Sequence, residues 1–229
     1  MKRSEINGYI KEAEQLFRSY GYKLPPWAEW PANEWAKRKE ECESIFKSCL
    51  GWDLTDFGSG DYLKRGLLLV TVRNGNDHED VKPYAEKIMI VKENQETPFH
   101  FHWQKTEDII NRGGGNLIIE LYNSDVNEEF STGNISLLTD GIKRTIEAGG
   151  KILLSPGESI TLKQGVYHRF YAEKGRGAVM AGEVSMANDD AADNRFHDNC
   201  GRFPAIEEDE KIYRALVGDY DRLISGGLQ

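Results

Sequence analysis

A short stretch near the middle of the chain concentrates residue types that bind metals. Residues 98–107 read PFHFHWQKTE, with His100 and His102 two positions apart and Glu107 five residues further on. On a β-strand this spacing places both imidazoles on one face. The next strand can return the Glu107 carboxylate to the same place. Imidazole and carboxylate groups together favour a divalent transition metal.

A second stretch, residues 150–168, reads GKILLSPGESITLKQGVYH and contains a tight turn at Pro156 and Gly157 before it ends at His168. The two stretches resemble the paired motifs of the cupin superfamily. In that superfamily three histidines and a glutamate hold one divalent metal inside a jelly-roll barrel. Carried over to this sequence, the resemblance implies the ligands His100, His102, Glu107 and His168.

Three positions depart from the superfamily pattern. Asn94 stands where a glycine is usual, Lys163 replaces a proline, and Ala172 replaces an asparagine. These positions shape turns rather than bind metal, so we expect the site to survive the differences.

The ligand set indicates the chemistry. Three imidazoles and one carboxylate suit Mn²⁺, Fe²⁺, Co²⁺, Ni²⁺ or Zn²⁺ and leave about two open positions on a six-coordinate ion. Two neighbouring oxygens of a sugar, an α-hydroxy ketone or a diketone could fill them. A metal in that position polarises a carbonyl and acidifies the adjacent C–H. Aldose–ketose isomerisation then needs only a group that moves a proton between C1 and C2.

Two charged residues within apolar strands are candidates for that group. Glu183 interrupts AVMAGEVSM, and a carboxylate on a core strand is costly unless it is paired or functional. Lys87 leads into YAEKIMIV, and alternation places it on one face with Met89 and Val91. A cation there could stabilise an enediolate. The competing interpretation is that both are strand-end charges that reach solvent.

The composition excludes several classes of protein. The chain has 229 residues, a net charge of -9 and a pI near 5.2, and it lacks the basic cluster of a nucleic-acid binder. No run of 18 apolar residues predicts a membrane span, and no apolar segment follows the basic start as in a signal peptide. Cys42, Cys49 and Cys200 are odd in number and widely spaced, which favours reduced thiols in the cytoplasm.

The pattern along the chain predicts a mainly β fold. Short apolar runs separated by turn residues indicate an antiparallel barrel over residues 62–186. A helical arm, residues 1–61, is expected to contain a helix from the N-cap Ser4 and a second one over residues 33–46, joined by a proline-rich extended connector. A C-terminal extension, residues 187–229, is expected to fold back on the barrel and to be helical over residues 207–224. The prediction is one cupin jelly-roll domain, residues 1–229.

The whole chain resembles the D-lyxose isomerase family of bacterial cupin sugar isomerases. The resemblance runs from MKRSEIN through PPWAEW and PFHFHWQKTEDIINRGGG to GEVSMANDD and RFPAIEEDE. It implies a homodimer that converts D-lyxose to D-xylulose and D-mannose to D-fructose through a cis-enediol. It also implies Mn²⁺ as the usual ion, with a lysine and a glutamate beside it.

Lys87 matches the family's lysine, because it precedes the first histidine by one strand. Glu183 matches the glutamate by strand placement, while Glu207 or Glu208 could instead reach the site from the extension. Lys87, Glu183 and Glu207 are therefore also the expected substrate contacts. Four aromatic residues could line a sugar pocket, but ordinary packing is the favoured interpretation for each: Trp27, Trp30, Phe99 and Trp103. His78 and His197 lie in polar segments and are interpreted as surface residues.

Two alternatives stay open on sequence grounds. A cupin dioxygenase would use similar ligands with Fe²⁺ and an open position for O₂. A non-catalytic sugar-binding cupin would usually lack one or more of the metal ligands.

Overall fold

Two antiparallel β-sheets form the body of the computed structural model, which describes residues 1–75, 82–187, 189, 192–201 and 204–225. One sheet has eight strands in the order β1-β2-β3-β12-β5-β10-β7-β8, and the other has five in the order β13-β4-β11-β6-β9. The strands are β1 Gly51–Thr55, β2 Leu67–Arg73, β3 Tyr84–Val91, β4 Thr97–Phe101, β5 Glu107–Gly114, β6 Leu117–Asn123, β7 Ile135–Thr139, β8 Ile142–Ile146, β9 Lys151–Leu154, β10 Ser159–Leu162, β11 Val166–Ala172, β12 Val179–Met186 and β13 Arg195–Phe196.

The main core lies between the two sheets. Strand β6 shows how alternation builds it: Leu117, Ile119 and Leu121 are fully buried in the apolar cluster, while Glu120 between them binds polar partners. Strands β4 and β5 follow each other in sequence but belong to different sheets, as do β11 and β12. The chain therefore crosses repeatedly between the layers. This two-sheet barrel confirms the mainly β prediction.

Helix α1, Arg3–Ser19, covers the outer face of the larger sheet. Its apolar stripe of Ile6, Ile10, Ala13 and Phe17 packs in one cluster with residues of β1, β2 and β3. Both faces of β2 and β3 are consequently buried, which explains their nearly continuous apolar runs. The helix begins one residue before Ser4, with Lys2 as its N-cap, so the predicted cap is wrong. The Ser4 hydroxyl instead donates to Asp209.

The second predicted helix is interrupted. It consists of α2 Ala32–Lys37, a 3₁₀ turn Glu40–Cys42 and α3 Glu43–Lys47. The chain leaves helical geometry at Arg38, whose guanidinium lies 4.8 Å from the centre of the Trp30 ring. The proline-rich connector also contains a 3₁₀ turn, Pro26–Glu29. Strand β1 lies within the range assigned to the helical arm, so sheet structure starts earlier than residue 62.

The C-terminal extension folds back on the rest of the molecule, as expected, but the helix predicted over residues 207–224 is wrong for most of its length. Only a 3₁₀ turn Val217–Asp219 and helix α4 Tyr220–Ile224 form within the described part. Upstream, the backbone N–H of Arg3 donates to the carbonyl of Glu207, whose own N–H donates to Met1. These bonds tie residue 207 to the start of α1 and use backbone groups that a helix there would need.

No helix among the described residues is long and apolar enough to span a membrane. Cys42, Cys49 and Cys200 are all free thiols.

Candidate metal centre and active site

Three predicted ligands meet where strands β4 and β11 pair in the smaller sheet. His168 on β11 lies directly opposite His100 on β4, and His102 follows just beyond the end of β4. Directly opposed residues project from the same face, so this register brings the imidazoles together. One nitrogen of each of the three histidines lies within 4.8 Å of the others, and all three side chains are buried. The three histidines could therefore hold a metal ion.

Backbone carbonyls fix the tautomer that each ring adopts when it is neutral. The Nδ1 atoms of His100, His102 and His168 lie 2.9 Å, 2.9 Å and 3.0 Å from the carbonyl oxygens of Pro98, Asp193 and Val166. A carbonyl can only accept, so each Nδ1 carries the hydrogen and each neutral ring keeps a lone pair on Nε2. This arrangement is typical of metal-binding histidines.

Within the described part of the chain, two of those Nε2 atoms are buried without a hydrogen bond that would account for their burial. The Nε2 atoms of His102 and His168 are buried and have no hydrogen-bond partner among the described residues. The nearest charge is Oε1 of Glu107, at 3.4 Å from His102 Nε2 and 3.1 Å from His168 Nε2. Buried nitrogen lone pairs facing a carboxylate oxygen are the donor set that a divalent cation would satisfy. Glu107 thus joins the histidines from the other sheet, at the start of β5.

The pKa shifts of His100 and Glu107 also favour metal binding. Burial, followed by the neighbouring His168 and His102, holds the pKa of His100 well below its ordinary value, which favours the neutral ring. Burial alone would raise the pKa of Glu107, but the Lys105 ammonium and the adjacent histidines outweigh it and hold that pKa well below its usual range. These two pKa shifts favour a neutral His100 ring beside an ionised Glu107 carboxylate.

Lys87 and Glu183 occupy the same cavity. They are directly paired across β3 and β12, with 3.3 Å between Nζ of Lys87 and Oε1 of Glu183. Both side chains are buried, so the interpretation as strand-end charges reaching solvent is wrong. The same Glu183 oxygen accepts hydrogen bonds from Ser185 Oγ at 3.0 Å and Lys105 Nζ at 2.9 Å.

Lys105 is a site residue that the sequence interpretation missed. Its Nζ lies 2.7 Å from Oε2 of Glu107 as well as 2.9 Å from Oε1 of Glu183, and the side chain is buried. It therefore links the proposed metal ligand to the proposed proton-transfer group. The sequence shows a lysine between His102 and Glu107, but it does not show which way that side chain points in the turn.

Asp193, in the segment after β12, is a second missed residue. One carboxylate oxygen accepts the backbone N–H of Gln104 at 2.8 Å, and the other accepts that of Lys105 at 2.9 Å. Its carbonyl also receives the Nδ1–H of His102. One buried residue thus holds the turn between two ligands and orients one of them. The bonded residues lie 88 to 91 positions apart in the sequence, so no local sequence pattern predicts these contacts.

Six of the residues just described line one cavity of about 340 Å³, which is at the small end of the range for small-molecule sites: Lys87, His100, His102, Lys105, Glu107 and Glu183. Its polar floor carries the charged and imidazole groups just described. The wall is largely apolar, with a few polar groups that include the Asp53 carboxylate. Its described residues outside the charged cluster and the histidines are Asp53, Thr55, Phe57, Leu67, Leu69, Met89, Thr97, Ile109, Phe170, Asn194, Phe196, Cys200 and Gly201.

The structure does not bring Glu207 or Glu208 to this cavity. Glu207 is exposed beside the N-terminus, and the Glu208 carboxylate pairs with Arg3 and Arg222. Neither is among the described lining residues, which corrects the expectation that Glu207 contacts the substrate and disfavours both as the base.

The aromatic candidates pack elsewhere, as favoured. Trp27 and Trp30 pack edge-to-face against Trp35. Phe99 contacts Tyr122 and Phe130, and Trp103 contacts Phe101. His197 is half-buried rather than fully at the surface, with its ring stacked 3.9 Å from that of Phe130. His78 lies outside the described residues.

Comparison with known proteins gives consistent matches. The model of the family described as D-lyxose isomerase matches residues 1–220. A D-lyxose/D-mannose isomerase of Escherichia coli O157:H7 is 46% identical over 96% of this chain and 98% of its own length. A protein of the same description from Serratia proteamaculans is 43% identical over 98% of this chain and 100% of its own.

Solved structures support the fold. The L-ribose isomerase of Cellulomonas parahominis with L-ribose superposes with a TM-score of 0.61 at 17% identity, covering 90% of this chain and 98% of that one. The L-ribose isomerase of Acinetobacter sp. DL28 in complex with L-ribose gives 0.58 at 15% identity, covering 87% and 93%. The cupin-like architecture is therefore confirmed.

Proposed function

The chain belongs to the D-lyxose isomerase family, and from this premise we propose that it interconverts D-lyxose with D-xylulose and D-mannose with D-fructose, using a bound divalent metal. Family membership makes it an aldose–ketose sugar isomerase, and this favours isomerisation over the dioxygenase and non-catalytic alternatives. D-Lyxose and D-mannose share their configuration at C2, C3 and C4, so one site can present the same reacting carbons of both sugars.

The observation that carries the proposal is the shared cavity. The Nε2 atoms of buried histidines, held in the metal-binding tautomer, converge beside the Lys87–Glu183 pair. Four buried ionisable side chains in one place are expensive to maintain and are a poor device for stability. They are Lys87, Lys105, Glu107 and Glu183. Such clusters are characteristic of catalytic sites.

His100, His102, His168 and Glu107 would hold the ion, and we expect Mn²⁺ to be preferred. An ion bound there supplies Lewis-acid polarisation of two neighbouring sugar oxygens. Asp193 and Lys105 keep the turn and the carboxylate of this ligand set in place.

Proton transfer is assigned to Glu183. Its carboxylate removes the proton from C2 of the aldose, and the electron pair of that C–H bond forms the C1=C2 bond. The C1=O π pair passes to the C1 oxygen, which gains a proton to give the cis-enediol. The same carboxylate then returns the proton to C1, which yields the ketose. The contacts from Lys87, Lys105 and Ser185 all address Oε1. We therefore expect Oε2 to exchange the proton with the sugar.

Lys87 is assigned to the sugar oxygens. Isomerisation also moves a proton from the C2 hydroxyl to the C1 oxygen. The Lys87 ammonium can donate a proton to the C1 oxygen, and the neutral amine that remains can take up the proton of the C2 hydroxyl. The buried Lys87 Nζ lies beside Glu183, so carbon and oxygen proton transfers occur on neighbouring groups. Its positive charge also stabilises negative charge that develops on the enediol oxygens.

The test is a metal-dependence assay on a panel of sugars. Protein treated with chelator and dialysed is supplied with Mn²⁺, Co²⁺, Ni²⁺, Zn²⁺ or Mg²⁺ under anaerobic conditions, and ketose formation is measured. The substrates are D-lyxose and D-mannose, their C2 epimers D-xylose and D-glucose, and L-ribose, which differs from D-lyxose at C4. Metal-dependent formation of D-xylulose and D-fructose supports the proposal. Full activity of metal-free protein, or no turnover of D-lyxose with any ion, would refute it.

Assembly is a further part of the proposal. We expect a homodimer, and sedimentation of the metal-loaded protein at assay concentration tests this; a monomer would exclude it.

A further inference from the structure

The strand that carries the first histidine has an irregularity just before it. Opposite β11, His168 pairs with His100 and Phe170 pairs with Thr97, so two steps along β11 match three along β4. The extra residue is a β-bulge. In a regular strand, residues three apart face opposite sides, and Thr97 would point away from His100. The bulge instead places Thr97 on the same face as His100.

That face is the wall of the active-site cavity. Thr97, His100 and Phe170 all line the cavity, which agrees with the register. Thr97 is 3% exposed, and its Oγ1 has no hydrogen-bond partner among the described residues. A buried hydroxyl without a partner reduces stability, and each such group in a folded protein needs an explanation. Because Thr97 lines the cavity, a ligand bound there is the candidate partner for this hydroxyl.

We propose that Thr97 is a substrate-binding residue that hydrogen-bonds a hydroxyl group of the monosaccharide. This inference rests on the proposed function of the same cavity. A threonine hydroxyl both donates and accepts, as a sugar hydroxyl does, so the pair can form without any charge. The charged groups of the floor are engaged with one another, whereas the phenyl ring of Phe170 opposite Thr97 offers no hydrogen bond. Thr97 therefore adds a neutral contact that helps to select the sugar.

The experiment compares Thr97→Val, which keeps the shape and removes the hydroxyl, with Thr97→Ser, which keeps the hydroxyl. The substrate is whichever aldose of the panel the wild type converts best. We expect Thr97→Val to lower kcat/KM about 10-fold, and Thr97→Ser to stay within about threefold of the wild type, from the usual worth of a neutral hydrogen bond. Affinity for the matching alditol, an unreactive polyol, should fall in parallel when measured by calorimetry.

Thermal unfolding separates this role from a structural one. Because the Thr97 hydroxyl has no hydrogen-bond partner among the described residues, Thr97→Val should unfold at the same temperature as the wild type or higher. Thr139 offers a matched control: it is also a buried strand threonine, but its Oγ1 accepts a hydrogen bond from Arg144 Nε at 2.5 Å. Thr139→Val should unfold at a lower temperature and keep its kcat/KM.

Two results would overturn the proposal. Unchanged kcat/KM and alditol affinity in Thr97→Val would mean that the hydroxyl holds at most a water molecule. A lower unfolding temperature in Thr97→Val would mean that the hydroxyl has a structural partner. Failure of the wild type to convert D-lyxose would count against the proposed substrate, and the Thr97 comparison would proceed with the aldose that is converted.

Discussion

Replacing Glu183 by glutamine tests the assignment of proton transfer. Glutamine keeps the side-chain volume, and its amide oxygen can still accept from Lys105 Nζ and Ser185 Oγ, which lie 2.9 Å and 3.0 Å from Oε1. What is lost is the negative charge and the ability to take a proton. Glu183 is not in the proposed ligand set, so metal binding should persist.

The expected magnitude follows from the role. A positioned general base contributes about 10²- to 10⁴-fold to rate. At about 1.4 kcal/mol per tenfold, this is roughly 3 to 5 kcal/mol of transition-state stabilisation. We therefore expect kcat of Glu183→Gln to fall by a factor of about 10² to 10⁴, with the change in KM much smaller.

The assay measures kcat and KM for D-lyxose at saturating Mn²⁺, together with metal content by mass spectrometry. Glu120→Gln is a matched control. Glu120 is a buried carboxylate with several partners, among them Arg169 and Tyr171, but it is not among the described residues of the cavity. Its replacement should leave kcat within about threefold, as expected for a group outside the reaction.

Two outcomes would refute the reasoning. A Glu183→Gln enzyme that keeps more than about a tenth of the wild-type kcat falls outside the range for a lost general base and moves proton transfer to another group, such as Lys87. A variant that loses both turnover and metal would make Glu183 a ligand or a structural support instead.

Four further predictions concern the supporting residues and the metal. Asp193→Ala should weaken Mn²⁺ binding about 10- to 100-fold in equilibrium dialysis, because it frees the turn beside His102; unchanged affinity would contradict a positioning role. Removal of metal should lower the unfolding temperature, since an ion at 100 times its Kd stabilises by about 2.7 kcal/mol, and equal temperatures with and without Mn²⁺ would exclude a bound ion. The pKa of His100 is depressed in the folded state, so the unfolded chain binds the proton more tightly. Metal-free protein should therefore lose stability as pH falls below about 6.5, and His100→Asn should reduce that loss in calorimetric scans at pH 7 and pH 5. Glu207→Ala should keep kcat within about twofold, since Glu207 is exposed at the N-terminus, and a large loss would restore it as a site residue.

The parts of the site that the sequence predicted are those governed by strand geometry. His100 and His102 share a face because residues two apart on an extended chain do so. Lys87 and Glu183 were predicted as site residues because a charge on an apolar strand is costly unless it is paired or functional. Their direct pairing across β3 and β12 confirms that they share a face. In each case a local rule sufficed.

Long-range contacts decided what the sequence did not predict. Residues 207–216 have a helix-compatible pattern, but Arg3, Ser4 and Asn7 of α1 bind this segment through backbone and side-chain groups. Those bonds compete with the intrahelical ones and prevail. Asp193 was hidden for the same reason: its partners, Gln104 and Lys105, are nearly 90 residues away in sequence.

Backbone irregularities account for two further features that strand alternation does not predict. Asn94 occupies the position where the superfamily pattern has glycine, and its φ of 56° shows why: the turn before β4 requires the left-handed region, which asparagine tolerates better than most residues. A few residues later, the bulge before His100 reverses the direction that simple alternation gives for Thr97. Alternation succeeded for His100 and His102 because both follow the bulge, and it would have failed for any residue that precedes it. The Thr97 comparison therefore tests whether the hydroxyl that the bulge brings to the His100 face binds the sugar.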